Sequence, residues 1–320
     1  MPLSFLDLVK ATDVVPYPSD PEYALVRDFS YDFISHNGVK IGRLTAPVYK
    51  ALIADYAESF VVTPTAIQLH PDHCNTLEAR NKLIARIAAD WRAARAFRVL
   101  EGWRDELYTV FNPSHVPYLL IERAASMLFG VITYGVHIIG YVPADADGCG
   151  SPLRVWVPRR SATKATFPGM LDNTVAGGLG YPYGLLETCV KECYEEAGLS
   201  EDYVLKHLTS AGVITYAYQH DYDKDDASST GLYQPEVEYI YDLRMDPEIV
   251  PQPVDGEVAE FNLMTVEEIK TELANGTFKP NTALVQIDFF IRHGLITPED
   301  EPDFLEIQAR THRKMEYPVR

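Results

Sequence analysis

Only four cysteines, Cys74, Cys149, Cys189 and Cys193, occur in 320 residues, and no two form a C-x-x-C pair. That excludes a disulfide framework and argues against a zinc site. Cys189 and Cys193 stand four apart, the spacing of one helical face, so they are expected to pack rather than to ligate. A reducing compartment suits such a chain. Positive charge is also scarce: 28 Lys and Arg stand against 46 Asp and Glu, a net charge of -18. A surface of that sign repels phosphate backbones, which excludes nucleic acid as a bulk partner. A small anionic ligand is not excluded, because a divalent metal and a few local cations reverse the field inside one pocket. The N-terminus, MPLSFLDLVKATD, has no basic region followed by an apolar run, so no signal peptide is expected and the cytoplasm is the expected location. Asp, Glu, Lys and Arg are absent from Ala124 to Ala144, a stretch long enough to cross a bilayer. It contains Gly130, Thr133, His137 and Gly140, and its second half is rich in β-branched and aromatic residues. A helix end followed by a buried strand from about Tyr134 to Val142 is expected, with no membrane partner. Internal repeats are lacking as well.

What is present is ordinary globular material, 47% hydrophobic and 23% charged, enough for a packed core. The length suits two domains or one large one. Up to about residue 130, YDFISHNGVKIGRL reads as a hairpin turning at Asn37-Gly38. Leu83, Ile84, Ile87, Ala88 and Trp91 have helical spacing within Thr76 to Phe97, and Glu101 to Val110 is a mixed element. From Tyr134 the pattern becomes strands at YGVHIIGYV, SPLRVWVPRR and TVAGGL, then a helix from Leu185 to Ala197. Strands follow at Val213–Tyr218, Glu236–Asp242 and GEVAEFNLMT. Helices follow at Val266–Asn275 and Thr282–His293, the last capped by Gly294. Without strict βαβ alternation, the class is α+β with a mixed sheet. Residues 221–230, DYDKDDASST, read as a polar loop, and the charged tail from Pro298 to Arg320 either docks or stays loose.

The chemistry concentrates in AGGLGYPYGLLETCVKECYEEAGL. On a helix from Leu185 to Gly198, Glu192, Glu195 and Glu196 lie at i, i+3 and i+4 and project from one face. Leu186, Cys189, Val190, Cys193 and Ala197 make the opposite, apolar face. Such a charge run alone reads as a solvated acidic face relieved by Lys191. The Gly-rich strand exit before it and Gly198 after it favour a site. Mg²⁺ and Mn²⁺ take hard oxygen ligands, and a metal both acidifies water and neutralises a bridging diphosphate.

These residues resemble the Nudix box, G-x5-E-x7-R-E-U-x-E-E-x-G-U, where U is a bulky aliphatic. Lys191 stands at the Arg position, followed by Glu192, Cys193, Glu195, Glu196, Gly198 and Leu199. From Gly178 to Lys191 the stretch is one residue short; the early Glu is missing, with Tyr183 or Gly184 near its place and Glu187 further on. Lys for Arg loses a bidentate fork. ERAASMLFGVITYGVHIIGYV, RVWVPRRSATKATFPGMLDNTVAGG and DGEVAEFNLMT extend the resemblance over roughly residues 20–300. They point to a Nudix subgroup of fungal and plant proteins, also fused ahead of thiamine pyrophosphokinase in some yeasts. The resemblance implies a smaller α+β accessory domain at 1–130, a Nudix αβα sandwich at 131–296 and a charged tail at 297–320. It implies a Mg²⁺-dependent (or Mn²⁺-dependent) hydrolase that cleaves thiamine diphosphate derivatives, oxidised and damaged forms above all, to monophosphates. Its metal ligands fall on Glu192, Glu195 and Glu196.

Several residues carry two readings. Glu257 is either a fourth carboxylate serving as base or a turn residue after Asp255-Gly256. Arg159, Arg160 and Lys164 either grip phosphate or are surface charges, with Arg160 and Lys164 favoured by the resemblance. Asn173, after Asp172, either bonds substrate or caps a loop. Gly177 and Gly178 border the substrate, and His137 is either a satisfied core group or part of the pocket. Tyr181, Tyr216, Tyr218 and Phe167 either stack a cationic ring or belong to the core. Three rivals stay open: a hydrolase of nucleoside diphosphate derivatives such as ADP-ribose, an isopentenyl-diphosphate isomerase-like enzyme using a Cys/Glu pair, and a non-catalytic Nudix binding module.

Overall fold

The computed structural model describes residues 2–24, 30–146, 148–164, 166–220 and 230–320. The polar loop expected at 221–230 lies, except for Thr230, outside the described residues. After helix α1 (Phe5–Lys10), strands β1 (Ser30–Ile34) and β2 (Lys40–Thr45) form the expected hairpin, with Gly38 at φ 86° in its turn. Together with β3 (Phe60–Thr63) and β4 (Ala66–Leu69) they make a sheet of order β2-β1-β4-β3. Helices α2 (Ala46–Asp55), α3 (Leu77–Ala94) and α4 (Arg123–Phe129) and a two-stranded ladder of β5 (Leu107–Phe111) and β6 (Pro117–Glu122) complete this part. Its core joins Phe33 of β1, Ile84, Ile87 and Trp91 of α3, and Phe129 of α4. The helical spacing read from the sequence is the one α3 buries, with Arg80 added. Arg80 is tolerated there because its Nε and Nη1 donate to the carbonyls of Tyr118 (2.7 Å) and Cys74 (2.9 Å), which satisfies a buried cation.

The second part is built on β7 (Thr133–Val142). Nine of its ten residues are buried. Ile139 faces one core, with Phe289 and Phe290 of α8 (Pro280–Arg292) and Ile269 of α7 (Val266–Ala274). Val136 and Ile138 face another, with Cys189 and Cys193 of α5 (Leu185–Ala197). The charge-free run is therefore a central strand covered on both faces. Among the described residues no helix is long and apolar enough to cross a membrane. The mixed sheet runs β10 (Leu208–Gln219), β11 (Tyr233–Arg244), β7, β8 (Arg154–Arg160), β12 (Val258–Thr265), with β9 (Val175–Gly178) also on β7. β11 and β7 are parallel and the other pairs antiparallel. This is the expected α+β sandwich, with α6 (Glu201–His207) added.

One edge of β7 is shared. Gly135 to Ile138 pair with β9, while Tyr141 and Val142 pair with β8. Thr174 holds the fork: its hydroxyl accepts from Gly140 N–H (2.7 Å) and donates to the Trp156 carbonyl (2.6 Å). The chain from Asp172 to Gly178 is thereby turned across the open end of the sheet.

Three details differ from the sequence reading. Leu186 is half exposed and Leu185 packs in its place. The last long helix begins at Pro280, where φ is already set for a first turn, and its C-cap is His293 rather than Gly294. The tail docks, with α9 (Phe304–Thr311) burying Ile307 beside Leu8 and Val9 of α1. Beyond α9, Arg313 donates through Nε to Asp13 Oδ1 (2.5 Å) and through Nη2 to the Val15 carbonyl and to Asp13 Oδ2 (3.2 Å). Asp13 also accepts from Tyr17 OH and Ala217 N–H, at 3.0 Å each. This buried pair ties the N-terminal segment, the tail and β10 together.

Removing one partner of a buried, hydrogen-bonded ion pair costs about 3–5 kcal/mol. Asp13→Ala is therefore expected to lower the unfolding free energy by about that amount in urea titration. Glu267→Ala, which removes the exposed Lys270–Glu267 pair, is expected to cost less than about 1 kcal/mol.

Candidate active site

β9 ends in Gly177-Gly178, and the chain turns into α5. The first turn of α5 is capped by Glu187, whose carboxylate accepts the Gly184 N–H at 2.9 Å. Cys189, Cys193 and Ala197 are fully buried against β7, and that contact sets the rotation of the helix. Glu192, Glu195 and Glu196 consequently face a cavity of about 350 Å³. Gly177 makes this possible: a Cβ there would stand 2.4 Å from Cγ and Cδ of Glu192. Counted from Gly177 instead of Gly178, the box spacing is complete, with exposed Tyr183 at the place of the early Glu. Glu187 is a helix cap and does not line the cavity.

Among the described residues nine carboxylates and six lysines or arginines line the cavity. Lys191 Nζ sits between Glu192 (3.1 Å) and Glu195 (2.8 Å). Glu196 accepts from Ala176 N–H at 3.1 Å. Burial pushes the carboxyls of Glu192 and Glu196 above the usual range, Glu196 the more strongly. Glu257 pairs with Lys164. Burial opposes its charge, but Lys164, with Arg104 and Arg160, outweighs burial and holds it below the usual range. Among the described residues no three His, Cys, Asp or Glu side chains stand close enough to hold a metal ion as they are; Glu192 and Glu195 pair with Lys191, and Glu257 with Lys164. The donor set itself is all hard oxygen, the kind Mg²⁺ and Mn²⁺ prefer.

The other candidates divide. Lys164, His137, Gly177 and Gly178 line the cavity. Arg160 reaches it, but its guanidinium is engaged by Asp172 (2.6 Å) and by the carbonyls of Thr166 (2.8 Å) and Phe167 (3.0 Å), so it braces the loop after β8. Arg159, one residue earlier on the strand, points away, toward Glu260 and the Gly169 carbonyl. Asn173 is buried and does not line the cavity; its Nδ2 donates to His137 Nδ1 at 2.8 Å. None of Tyr181, Tyr216, Tyr218 and Phe167 lines it, and Tyr108 and Tyr134 do. Sequence reasoning missed a whole wall from the first part, Arg104, Glu106, Tyr108 and Arg123. It also missed Glu236, Glu238, Lys279 and Asn281. For Glu236 and Glu238 a signal existed: two carboxylates at i and i+2 in an otherwise apolar strand, EVEYIYD.

Gly177→Ala is expected to displace Glu192 and leave the fold intact. A misplacement of about 1 Å at a reacting centre costs on the order of 10²-fold, so steady-state hydrolysis should fall by about that factor with an unchanged thermal unfolding midpoint.

Comparison with known proteins agrees with this geometry. Residues 140–283 match the family model for the NUDIX domain, and residues 29–133 match that for a domain of unknown function, DUF4743. An uncharacterized protein of Saccharomyces cerevisiae, YJR142W, is 38% identical over 327 residues, covering 99% of this chain and 92% of that protein. Nudix hydrolases 20 and 24, chloroplastic, of Arabidopsis thaliana are 36% and 37% identical, over 68% and 66% of this chain. The chain spans 54% of the length of each of these two plant relatives. The chain carries a Nudix domain behind a DUF4743 unit, and its likeness to the Nudix hydrolases marks it as a pyrophosphohydrolase.

Proposed function

We propose that the protein is a divalent-metal-dependent diphosphatase that converts thiamine diphosphate derivatives, oxidised forms above all, to monophosphates. The observation that carries the reaction is the convergence of Glu192, Glu195, Glu196 and Glu257 on one cavity. The substrate follows from the subgroup that the sequence resembles. With more carboxylates than cations, the cavity repels a diphosphate by itself, so bound dications are part of the proposal. Glu192, Glu195 and Glu196 would hold Mg²⁺ or Mn²⁺ once released from Lys191. When bound, the ion supplies charge neutralisation on the diphosphate and makes water more acidic.

The chain's own residues then do three things. Lys164, Arg104 and Lys279 attract the phosphate oxygens. Glu257, held ionised, accepts the proton from the attacking water. The water oxygen bonds to phosphorus, the bridging P–O bond breaks, and inorganic phosphate and the monophosphate leave. The division into an accessory unit at 1–130, a catalytic unit at 131–296 and a tail at 297–320 belongs to the same proposal, as does a cytosolic setting, which suits four free cysteines. The isomerase-like rival loses its acid: among the described residues no cysteine lines the cavity, and burial pushes the Cys189 thiol up to about 12.

Glu192→Gln, Glu195→Gln and Glu196→Gln should each cut phosphate release from oxothiamine diphosphate with Mg²⁺ by about 10²-fold or more, and wild-type rates in all three would remove the assignment. A panel of thiamine diphosphate, oxothiamine diphosphate and ADP-ribose decides the substrate class; turnover of ADP-ribose alone would keep the chemistry and discard thiamine. Arg104→Ala is expected to raise KM about 10-fold with kcat little changed, the loss of one charge-assisted contact made in ground and transition states alike.

A further inference from the structure

β5 of the first part starts beside the chain that leaves β9. Tyr181 N–H donates to the Leu107 carbonyl at 2.7 Å, and the residues on either side of Leu107 each lie against a glycine. A Cβ at Gly178 would overlap the Tyr108 hydroxyl, and one at Gly180 would stand 2.6 Å from Glu106 Oε1. Neither glycine has a positive φ. Space for two side chains of the first part, rather than backbone freedom, is what excludes a side chain at these positions. Glu106 is held in turn by Arg123, the first residue of α4. Arg123 Nη1 donates to Glu106 Oε2 and Arg123 N–H to the Glu106 carbonyl, each at 2.8 Å. The same guanidinium lies 5.6 Å from the centroid of the Tyr108 ring, so the ring is fixed between Gly178 and Arg123.

The ring carries a hydroxyl without a partner into the cavity. Tyr108 is 7% exposed and lines the cavity, yet among the described residues its hydroxyl makes no hydrogen bond. Buried tyrosine hydroxyls usually find a partner. Tyr134, which also lines the cavity, accepts from Arg320 N–H, and Tyr216 gives its proton to Glu236. Burial raises the Tyr108 hydroxyl; Arg123 opposes this and Glu106, Glu236 and Glu238 add to it. The group therefore stays protonated, a neutral donor among carboxylates.

Gly177 and Gly178 are neighbours on β9. Glu192 lies against the first and Tyr108 against the second, so the two side chains meet the strand one residue apart, a spacing of about 3.3 Å. A diphosphate held at Glu192 comes within reach of that hydroxyl. A neutral donor suits the place, because it bonds an anionic oxygen without forming an ion pair with the surrounding carboxylates, as a further lysine would.

We propose that the DUF4743 unit is part of the reaction site, and that Tyr108 is the residue it places on the substrate, donating a hydrogen bond to a non-bridging oxygen of the bound diphosphate. The proposal rests on the diphosphatase reading of this cavity.

The test uses the full chain with Mg²⁺. The probe is methylenediphosphonate, whose carbon bridge is not hydrolysed; its binding is measured by calorimetry, beside hydrolysis of thiamine diphosphate, oxothiamine diphosphate and ADP-ribose. Tyr108→Phe removes an oxygen that bonds nothing among the described residues, so an unchanged thermal midpoint is expected. Its affinity for the probe and its kcat/KM should each fall about 10- to 100-fold, the range of one hydrogen bond to a charged group. Gly178→Ala is a second route to the same loss, since it displaces the hydroxyl, and it should add little when combined with Tyr108→Phe. Wild-type binding and turnover in Tyr108→Phe overturn the inference and leave the diphosphatase assignment standing. A loss from Gly178→Ala that is undiminished in the double variant also overturns it. Weaker probe binding in both single variants, with no diphosphate hydrolysed by the wild-type protein, supports the inference and overturns the proposed reaction. Wild-type protein that neither binds the probe nor hydrolyses a diphosphate overturns both.

Discussion

A β-strand has two edges, and β7 has three partners. β11 takes one edge, and β8 and β9 divide the other. Two strands cannot both hydrogen-bond along one edge at the same level, so they part, and Thr174 bonds both sides of the parting. Everything that makes the cavity follows. Asp172 and Asn173 are placed where one braces Arg160 and the other orients His137. β9, short and glycine-ended, lets α5 approach closely enough for Glu192 to lie against Gly177. The sheet thus supplies a cleft without any unpaired central strand, and the carboxylates enter from the edge.

The second constraint is charge. Buried carboxylates outnumber buried cations around the cavity, and burial alone disfavours their ionised forms. The protein holds them with pairs that can be exchanged: Lys191 with Glu192 and Glu195, Lys164 with Glu257. Other pairs serve packing, as with Arg160, which gives one N–H from each of its three guanidinium nitrogens to Asp172 and the carbonyls of Thr166 and Phe167. The distinction separates cations available to a ligand from cations already spent, and residue type alone cannot make it.

The DUF4743 unit is part of the same cavity. Tyr181 N–H donates to the Leu107 carbonyl of β5 at 2.7 Å, which brings Tyr108, with Arg104 and Glu106 beside it, over the glycine end of β9. The tail reinforces the junction: Glu316 bonds Arg43 of β2 at 3.1 Å, and Tyr134 OH accepts from Arg320 N–H at 3.0 Å. An N-terminal addition so placed shapes what enters, because three of the cavity's charged groups besides Tyr108 come from it.

The sequence by itself determined the local elements and the helix that bears the three carboxylates. The Asn37-Gly38 turn, the α3 stripe and the Leu185–Ala197 helix are short-range consequences of turn chemistry and periodicity, and the i, i+3, i+4 spacing places Glu192, Glu195 and Glu196 on one face wherever that helix packs. Only the tertiary structure decided which charges share a space. Arg159 and Arg160 look alike in sequence, yet strand alternation sends one toward Glu260 and the other toward Asp172. Tyr216, read as either a stacking ring or a core aromatic, is in the core and donates its hydroxyl to Glu236. Arg104 and Glu238 are more than a hundred residues apart and meet in one cavity because β7 carries both the junction with the first part and the ladder to β11. Long-range pairing is set by the summed burial of whole faces, and no local run of residues contains that sum.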